Sequence, residues 1–126
     1  MLKSFLWVAL GGAVGSMLRY GTALLFKEWQ WDRLPMATLT VNLLGCLLIG
    51  VIYGLLNEMP QFPKKYVLLL ATGFCGGFTT FSSFAFENVE LLETQGTAQS
   101  LLYISISVVG GIASVVAGVW IIRELV

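Results

Sequence analysis

Histidine is absent from this chain, which excludes imidazole metal sites and histidine acid–base catalysis together. Charge is scarce: 11% of the 126 residues are Asp, Glu, Lys or Arg, against roughly a quarter in an ordinary soluble domain. Seven basic and seven acidic residues cancel, so nothing points to nucleic acid or to an acidic partner. The two cysteines, Cys46 and Cys75, fall in apolar stretches without metal-ligand spacing and read as small packing residues. No apolar stretch holds an Asp or Glu deep inside it to carry a proton or a cation. The first stretch lacks a short hydrophobic region followed by a small-residue cleavage site, so it is expected to be retained as a span rather than removed as a signal.

What is present is apolar length. With 57% hydrophobic residues, the chain reads as an all-α integral membrane protein, a single transmembrane domain over 1–126, multi-pass in the cell membrane (inner or plasma). Four stretches exceed the roughly 20 helical residues that cross a hydrocarbon core: about 2–26, 36–56, 66–92 and 98–122. Pro35 suits the first turn of the second helix. Pro60 and Pro63 mark the next turn, and Thr94-Gln-Gly-Thr97 closes the third span. Glu87, Glu90 and Glu93 recur every three residues and predict an acidic stripe where that span emerges into water. Trp7, Trp29, Trp31 and Trp120 fall near the expected interfaces, as an aromatic belt requires.

An even number of spans puts both ends on one side, with Lys3, Lys64, Lys65 and Arg123 there and Lys27 and Arg33 opposite. Four positive charges against two is a weak orienting bias. Four helices are also few to enclose a solvated path. Both points favour an oligomer, and an antiparallel dual-topology homodimer, with inverted halves supplied by separate copies, satisfies them.

One segment departs from the pattern. Thr72-Gly-Phe-Cys-Gly-Gly-Phe-Thr-Thr-Phe-Ser-Ser-Phe84 lies in the middle of the third stretch. Its glycines weaken a helix, and Thr79, Thr80, Ser82 and Ser83 follow with Phe78, Phe81 and Phe84 among them. The third helix is therefore expected to be broken mid-membrane, where unsatisfied backbone must face protein or a water- or ion-filled cavity. Elsewhere, Gly11 and Gly15, and Gly50 and Gly54, form GxxxG faces of the kind that pack helices closely.

Other polar groups need a reason at this depth. Arg19 is the one charge well inside a span; it either snorkels to the interface or stands as an electropositive group in an aqueous vestibule. Asn42 bridges helices or donates to a solute. Tyr103, Ser107 and Ser114 share a face of the fourth span, and Ser105 points elsewhere. Amides, hydroxyls and the positive edges of phenyl rings can all donate to an anion without carrying full charge. Backbone carbonyls at a break can instead hold a cation.

Gly11-Gly-Ala-Val-Gly-Ser-Met-Leu-Arg19, Thr38-Leu-Thr-Val-Asn42 and the segment from Gly73 to Phe84 together resemble the Fluc (CrcB) family of fluoride channels. The resemblance covers all four spans, and its third element is the specific one. It implies an antiparallel homodimer in the lipid bilayer with two fluoride pores, passive export of F⁻, and a structural Na⁺ held by main-chain oxygens of Gly76 and Thr79. It implies Phe81, Phe84 and Asn42 as pore residues, with Thr80, Ser82 and Ser83 beside the break and Arg19 in the vestibule. Tyr103 and Ser107 keep the spacing of the family's polar track, whose next position falls on Gly111 and lacks a hydroxyl. Glu87 matches an acidic position and is given no role beyond the mouth. A small multidrug antiporter needs a membrane-embedded carboxylate, as does a proton-coupled fluoride exchanger, and the sequence offers Arg19 instead. A non-transporting membrane scaffold explains the GxxxG faces and leaves the break without a purpose.

Overall fold

The computed structural model describes residues 1–28 and 34–126. The connector with Trp29, Trp31 and Arg33 lies outside the described residues, so the belt and charge readings that rest on it do too. Helix α1 is Leu2–Glu28 and α2 is Met36–Glu58. The third span, Lys64–Thr94, divides in two. Its first half, α3 (residues 64–78), passes from an α-turn through a π-helical stretch, Leu68–Cys75, to a last turn, Gly76–Phe78. Its second half, α4, is Phe81–Thr94, and the chain ends in α5, Thr97–Leu125. All four spans are long enough to cross a membrane.

Local chemistry sets the ends. Pro35 and Pro63 stand immediately before α2 and α3 as N-cap residues, one position outside the first turn that the sequence suggested for Pro35. Gly96 closes α4: its N–H reaches the Leu91 carbonyl at 2.9 Å, and its φ of 95° is open only to glycine without strain.

Lipid tails offer no hydrophobic drive between helices, so association rests on close packing. Two helix pairs are built this way. Between α1 and α3 the backbones nearly touch: a Cβ on Gly11 would stand 1.9 Å from the Leu69 carbonyl oxygen, and one on Gly15 would stand 2.2 Å from that of Phe74. Between α2 and α5, Gly50 faces the Val115 carbonyl and Gly118 faces that of Leu47, at 2.2 and 2.4 Å by the same measure. The residues that α1 buries are Gly11 and Gly15, while Phe5, Leu6, Leu10 and Met17 stay exposed on its outer face. An apolar exterior of this extent suits lipid contact.

Two small clusters fill the interior. Leu39, Leu91 and Tyr103 form one, with Phe84 against them. Ile52, Ala71 and Cys75 form the other. The interruption between α3 and α4 lies between these clusters, against α2.

Candidate functional site

The helix is interrupted at Thr79 and Thr80, where φ and ψ are −85° and 158°, then −151° and 119°. A continuous helix would pair the carbonyls of Gly76, Gly77, Phe78 and Thr79 with N–H groups four residues ahead. The extended residues cancel those bonds, and side chains from other helices take up two of the groups they leave, Gly77 O and Thr80 N–H. Arg19 Nε donates to Gly77 O at 2.9 Å, placing a cation at the C-terminal end of α3, where the helix dipole favours it. Its guanidinium therefore turns into the bundle. Thr80 N–H donates to Asn42 Oδ1 at 2.8 Å, and Asn42 Nδ2 donates to Thr80 O at 3.1 Å. One side-chain amide thus stands in for a neighbouring peptide. Thr80 Oγ1 accepts Ser83 N–H at 3.2 Å and caps α4. Thr79 donates twice to the Cys75 carbonyl, through its N–H at 3.0 Å and its hydroxyl at 2.8 Å. Among the described residues, no donor reaches the carbonyl oxygens of Gly76 or Thr79.

Thr80 borders two cavities. One, of about 340 Å³, is bordered by Asn42, Thr79, Thr80, Phe81, Phe84 and Ser107. The Phe81 and Phe84 rings lie 5.7 Å apart, tilted by 43°. Ser107 Oγ is shielded and has no hydrogen-bond partner among the described residues, whereas Ser105 and Ser114 bond back to Leu101 and Gly110 of their own helix. The second cavity, of about 370 Å³, brings Arg19 together with Ser16, Thr38, Thr80, Ser83 and Glu87. Ser82 is exposed, with its hydroxyl 3.3 Å from Thr80 Oγ1. Gly76 is also exposed, and a Cβ there would meet nothing within 4 Å.

Tyr103 borders neither of these cavities. It is wholly buried, lies with its ring 5.2 Å from that of Phe84 and tilted by 50°, and donates its hydroxyl to Glu87 Oε2 at 2.7 Å. Thr38 donates to the other carboxylate oxygen at 2.5 Å. Glu87 is thus half-buried inside the third span rather than part of an acidic stripe; Glu90 and Glu93 are exposed. The reason is geometric: three residues advance a helix by about 300°, so a period of three drifts around the axis. Gly45 is the member of this neighbourhood that the sequence did not single out; Glu87 was expected in the stripe or at the mouth and Thr38 stood only within the Thr38–Asn42 motif, neither as a partner of Tyr103. The signal that Glu87 faces inward was that drift, which separates Glu87 from Glu93 by about 120° around the helix.

Chemically, the first cavity offers uncharged donors and ring edges suited to an anion, and the free carbonyls of Gly76 and Thr79 offer hard oxygens suited to a cation. Four membrane-length helices with an apolar exterior and a polar interruption inside define a multi-pass membrane protein that handles a solute at membrane depth. The family model described as CrcB-like protein, Camphor Resistance (CrcB), matches residues 6–119, and the chain belongs to that family. A protein of Leptospira interrogans serogroup Icterohaemorrhagiae serovar copenhageni (strain Fiocruz L1-130), named fluoride-specific ion channel FluC, is 48% identical over 97% of this chain and 96% of its own length. Proteins of the same name from Flavobacterium psychrophilum, 40% identical over 98% and 100%, and from Pseudomonas fluorescens, 43% identical over 94% and 95%, are similar to it. These relatives are named as ion channels, not as enzymes.

Proposed function

We propose that this chain is the subunit of a fluoride-selective channel through which F⁻ leaves the cell passively, lowering cytoplasmic fluoride. The observation that carries the reading is the cavity beside the interruption, where Asn42, Ser107 and the rings of Phe81 and Phe84 meet without a formal charge among its lining residues. A mobile ion needs partners strong enough to replace its hydration and weak enough to release it. Neutral amide, hydroxyl and ring-edge donors meet that condition for a small, strongly hydrated anion. The unpartnered Ser107 hydroxyl adds a donor with no competing acceptor. Arg19 supplies a positive group beside the second cavity, which Glu87 also borders. Relatives named fluoride-specific support the choice of ion.

The working unit in this reading is an antiparallel homodimer. Phe81 is 79% exposed in a single chain, which leaves one wall of its cavity for a second copy to supply. The carbonyls of Gly76, an exposed residue, and of Thr79, both without protein donors among the described residues, fit a Na⁺ ion shared between the two chains. Such an ion supplies positive charge that balances the exposed carbonyl ends.

Purified protein in liposomes, prepared with and without Na⁺, tests the proposal. With charge compensated by an ionophore, F⁻ should leave and Cl⁻ should stay; equal Cl⁻ efflux removes the selectivity. The half-buried Glu87 is the observation that favours a second reading, proton-coupled exchange. An imposed pH gradient that drives F⁻ uphill identifies the exchanger, and flux that only follows the F⁻ gradient identifies the channel.

A further inference from the structure

Thr79 is held from two sides. Its hydroxyl is bound to the Cys75 carbonyl at 2.8 Å. Its methyl occupies the place where Gly45 of α2 has no side chain: a Cβ on Gly45 would stand 2.1 Å from Thr79 Cγ2. One turn earlier on the same face of α2, Asn42 grips Thr80 by its N–H and its carbonyl. Gly45 and Thr79 also border the same cavity.

We infer that Gly45 is a positioning residue: its missing side chain is the socket that fixes the Thr79 side chain, and with it the direction of the Thr79 carbonyl and the seat of Thr80 on Asn42. The physical reason is that Thr79 has one rotamer that places its hydroxyl on Cys75 and its methyl in a space large enough to hold it. An alanine at 45 removes that space and forces Thr79 to rotate. The hydroxyl then leaves Cys75, and the extended backbone that carries the free carbonyl loses its brace. The socket links the carbonyl proposed for Na⁺ to the wall of the proposed fluoride cavity through a single side chain. That link to ions rests on the function proposed above; the seating of Thr79 does not.

The geometry supplies a repair. Once the Thr79 methyl is gone, the nearest remaining atom to a Cβ at 45 is Thr79 Cβ at 3.6 Å, followed by Phe78 Cδ1 at 3.7 Å; both are ordinary contacts. Gly45→Ala combined with Thr79→Ser therefore moves one methyl across the interface and restores the fit, with the hydroxyl kept. Three measurements on wild type, Gly45→Ala, Thr79→Ser and the double variant decide the matter: amide exchange at Thr80, the Na⁺-dependent shift in thermal unfolding, and F⁻ efflux from liposomes. Gly45→Ala should speed Thr80 exchange about tenfold or more as the local brace opens, lose the Na⁺ shift and slow efflux. The double variant should return all three towards wild type. Wild-type exchange in Gly45→Ala overturns the inference, even if efflux falls, because a methyl that merely plugs the cavity leaves Thr80 in place. Failure of the double variant to recover, or to fold where Thr79→Ser folds, also overturns it. A wild-type protein without a Na⁺ shift refutes the cation site itself, and the exchange pattern still decides whether Gly45 seats Thr79.

Discussion

Replacing Asn42 by leucine keeps the branched shape of the side chain, with somewhat more bulk, and removes both bonds that hold Thr80 to α2, at 2.8 and 3.1 Å. Each bond is worth about 0.5–1.5 kcal/mol net, and a buried N–H left without an acceptor costs about 1–3 kcal/mol. Thr80 O is less exposed to loss, because as the N-cap carbonyl it can still accept from the first turn of α4. Asn42 is only half-buried, so water recovers part of the penalty and leucine gains little from burial. The local cost works out at about 1.5–3 kcal/mol, and about 1.4 kcal/mol is tenfold in an equilibrium. Amide exchange at Thr80 should accelerate roughly 10- to 100-fold in Asn42→Leu, with slower F⁻ efflux. Asn42→Asp keeps the acceptor for Thr80 N–H but sets oxygen against oxygen at the second contact, so its exchange should fall between wild type and leucine. Thr80 exchange in Asn42→Leu within twofold of wild type would refute the idea that this amide holds the interruption.

Other outcomes follow from single contacts. Ser107→Ala deletes a shielded hydroxyl without a partner among the described residues; thermal unfolding should be unchanged or rise by up to about 1 kcal/mol while F⁻ efflux falls, and clear destabilisation would mean that the hydroxyl is already satisfied. Phe81→Leu alters a ring that is 79% exposed in one chain, so the fold should persist; losing a ring-edge contact of about 0.5–1.5 kcal/mol should slow efflux by up to about tenfold, and undiminished efflux excludes the ring from the path. Gly15→Ala puts a methyl 2.2 Å from the backbone oxygen of Phe74 and should cost about 1–3 kcal/mol in detergent unfolding. Gly21→Ala, with nothing within 4 Å, is its control and should be neutral or stabilising by up to about 1 kcal/mol.

The four spans were legible because apolar length is a property of consecutive residues. Their ends moved by a few positions: the third span expected at 66–92 is Lys64–Thr94, since a helix can run on through Lys64 and Lys65 as far as Pro63 allows. The origin of the interruption was less legible. Glycine's low helix propensity suggested that Gly76 and Gly77 open the helix, yet both are helical, and Gly76 has φ −62° and ψ −36°. A weak propensity yields to packing that needs no side chain: Gly73 and Gly77 lie against the backbone of α1, where a Cβ would stand 2.7 and 2.4 Å from the carbonyls of Val8 and Gly12. The chain leaves the helix at the threonines instead. The contacts around the interruption join residues far apart in sequence, 38 residues from Asn42 to Thr80, 49 from Thr38 to Glu87 and 58 from Arg19 to Gly77. No local period encodes contacts of that range, so residue types could nominate Arg19 and Asn42 but not say what they hold.

That distinction bears on why the interruption is stable at all. Breaking a helix at membrane depth strands backbone groups whose desolvation costs several kcal/mol each, so the vacated groups need substitute partners from protein, water or an ion. Arg19, Asn42 and the Thr80 hydroxyl supply substitutes for Gly77, Thr80 and Ser83. The same side chains that line the cavities therefore hold the backbone in shape, and a solute that borrowed all of their donors would unmake its own site. The donors left over are the ones a passing ion can use. Asn42 Nδ2 has a second hydrogen beyond the one given to Thr80, Arg19 has N–H groups beyond the one on Gly77, and Ser107 has a hydroxyl without a partner among the described residues. Acceptors left over, the carbonyls of Gly76 and Thr79, face the opposite chemistry. An interruption that commits part of each polar side chain to structure and leaves part uncommitted can offer an anion a path while the fold stays intact.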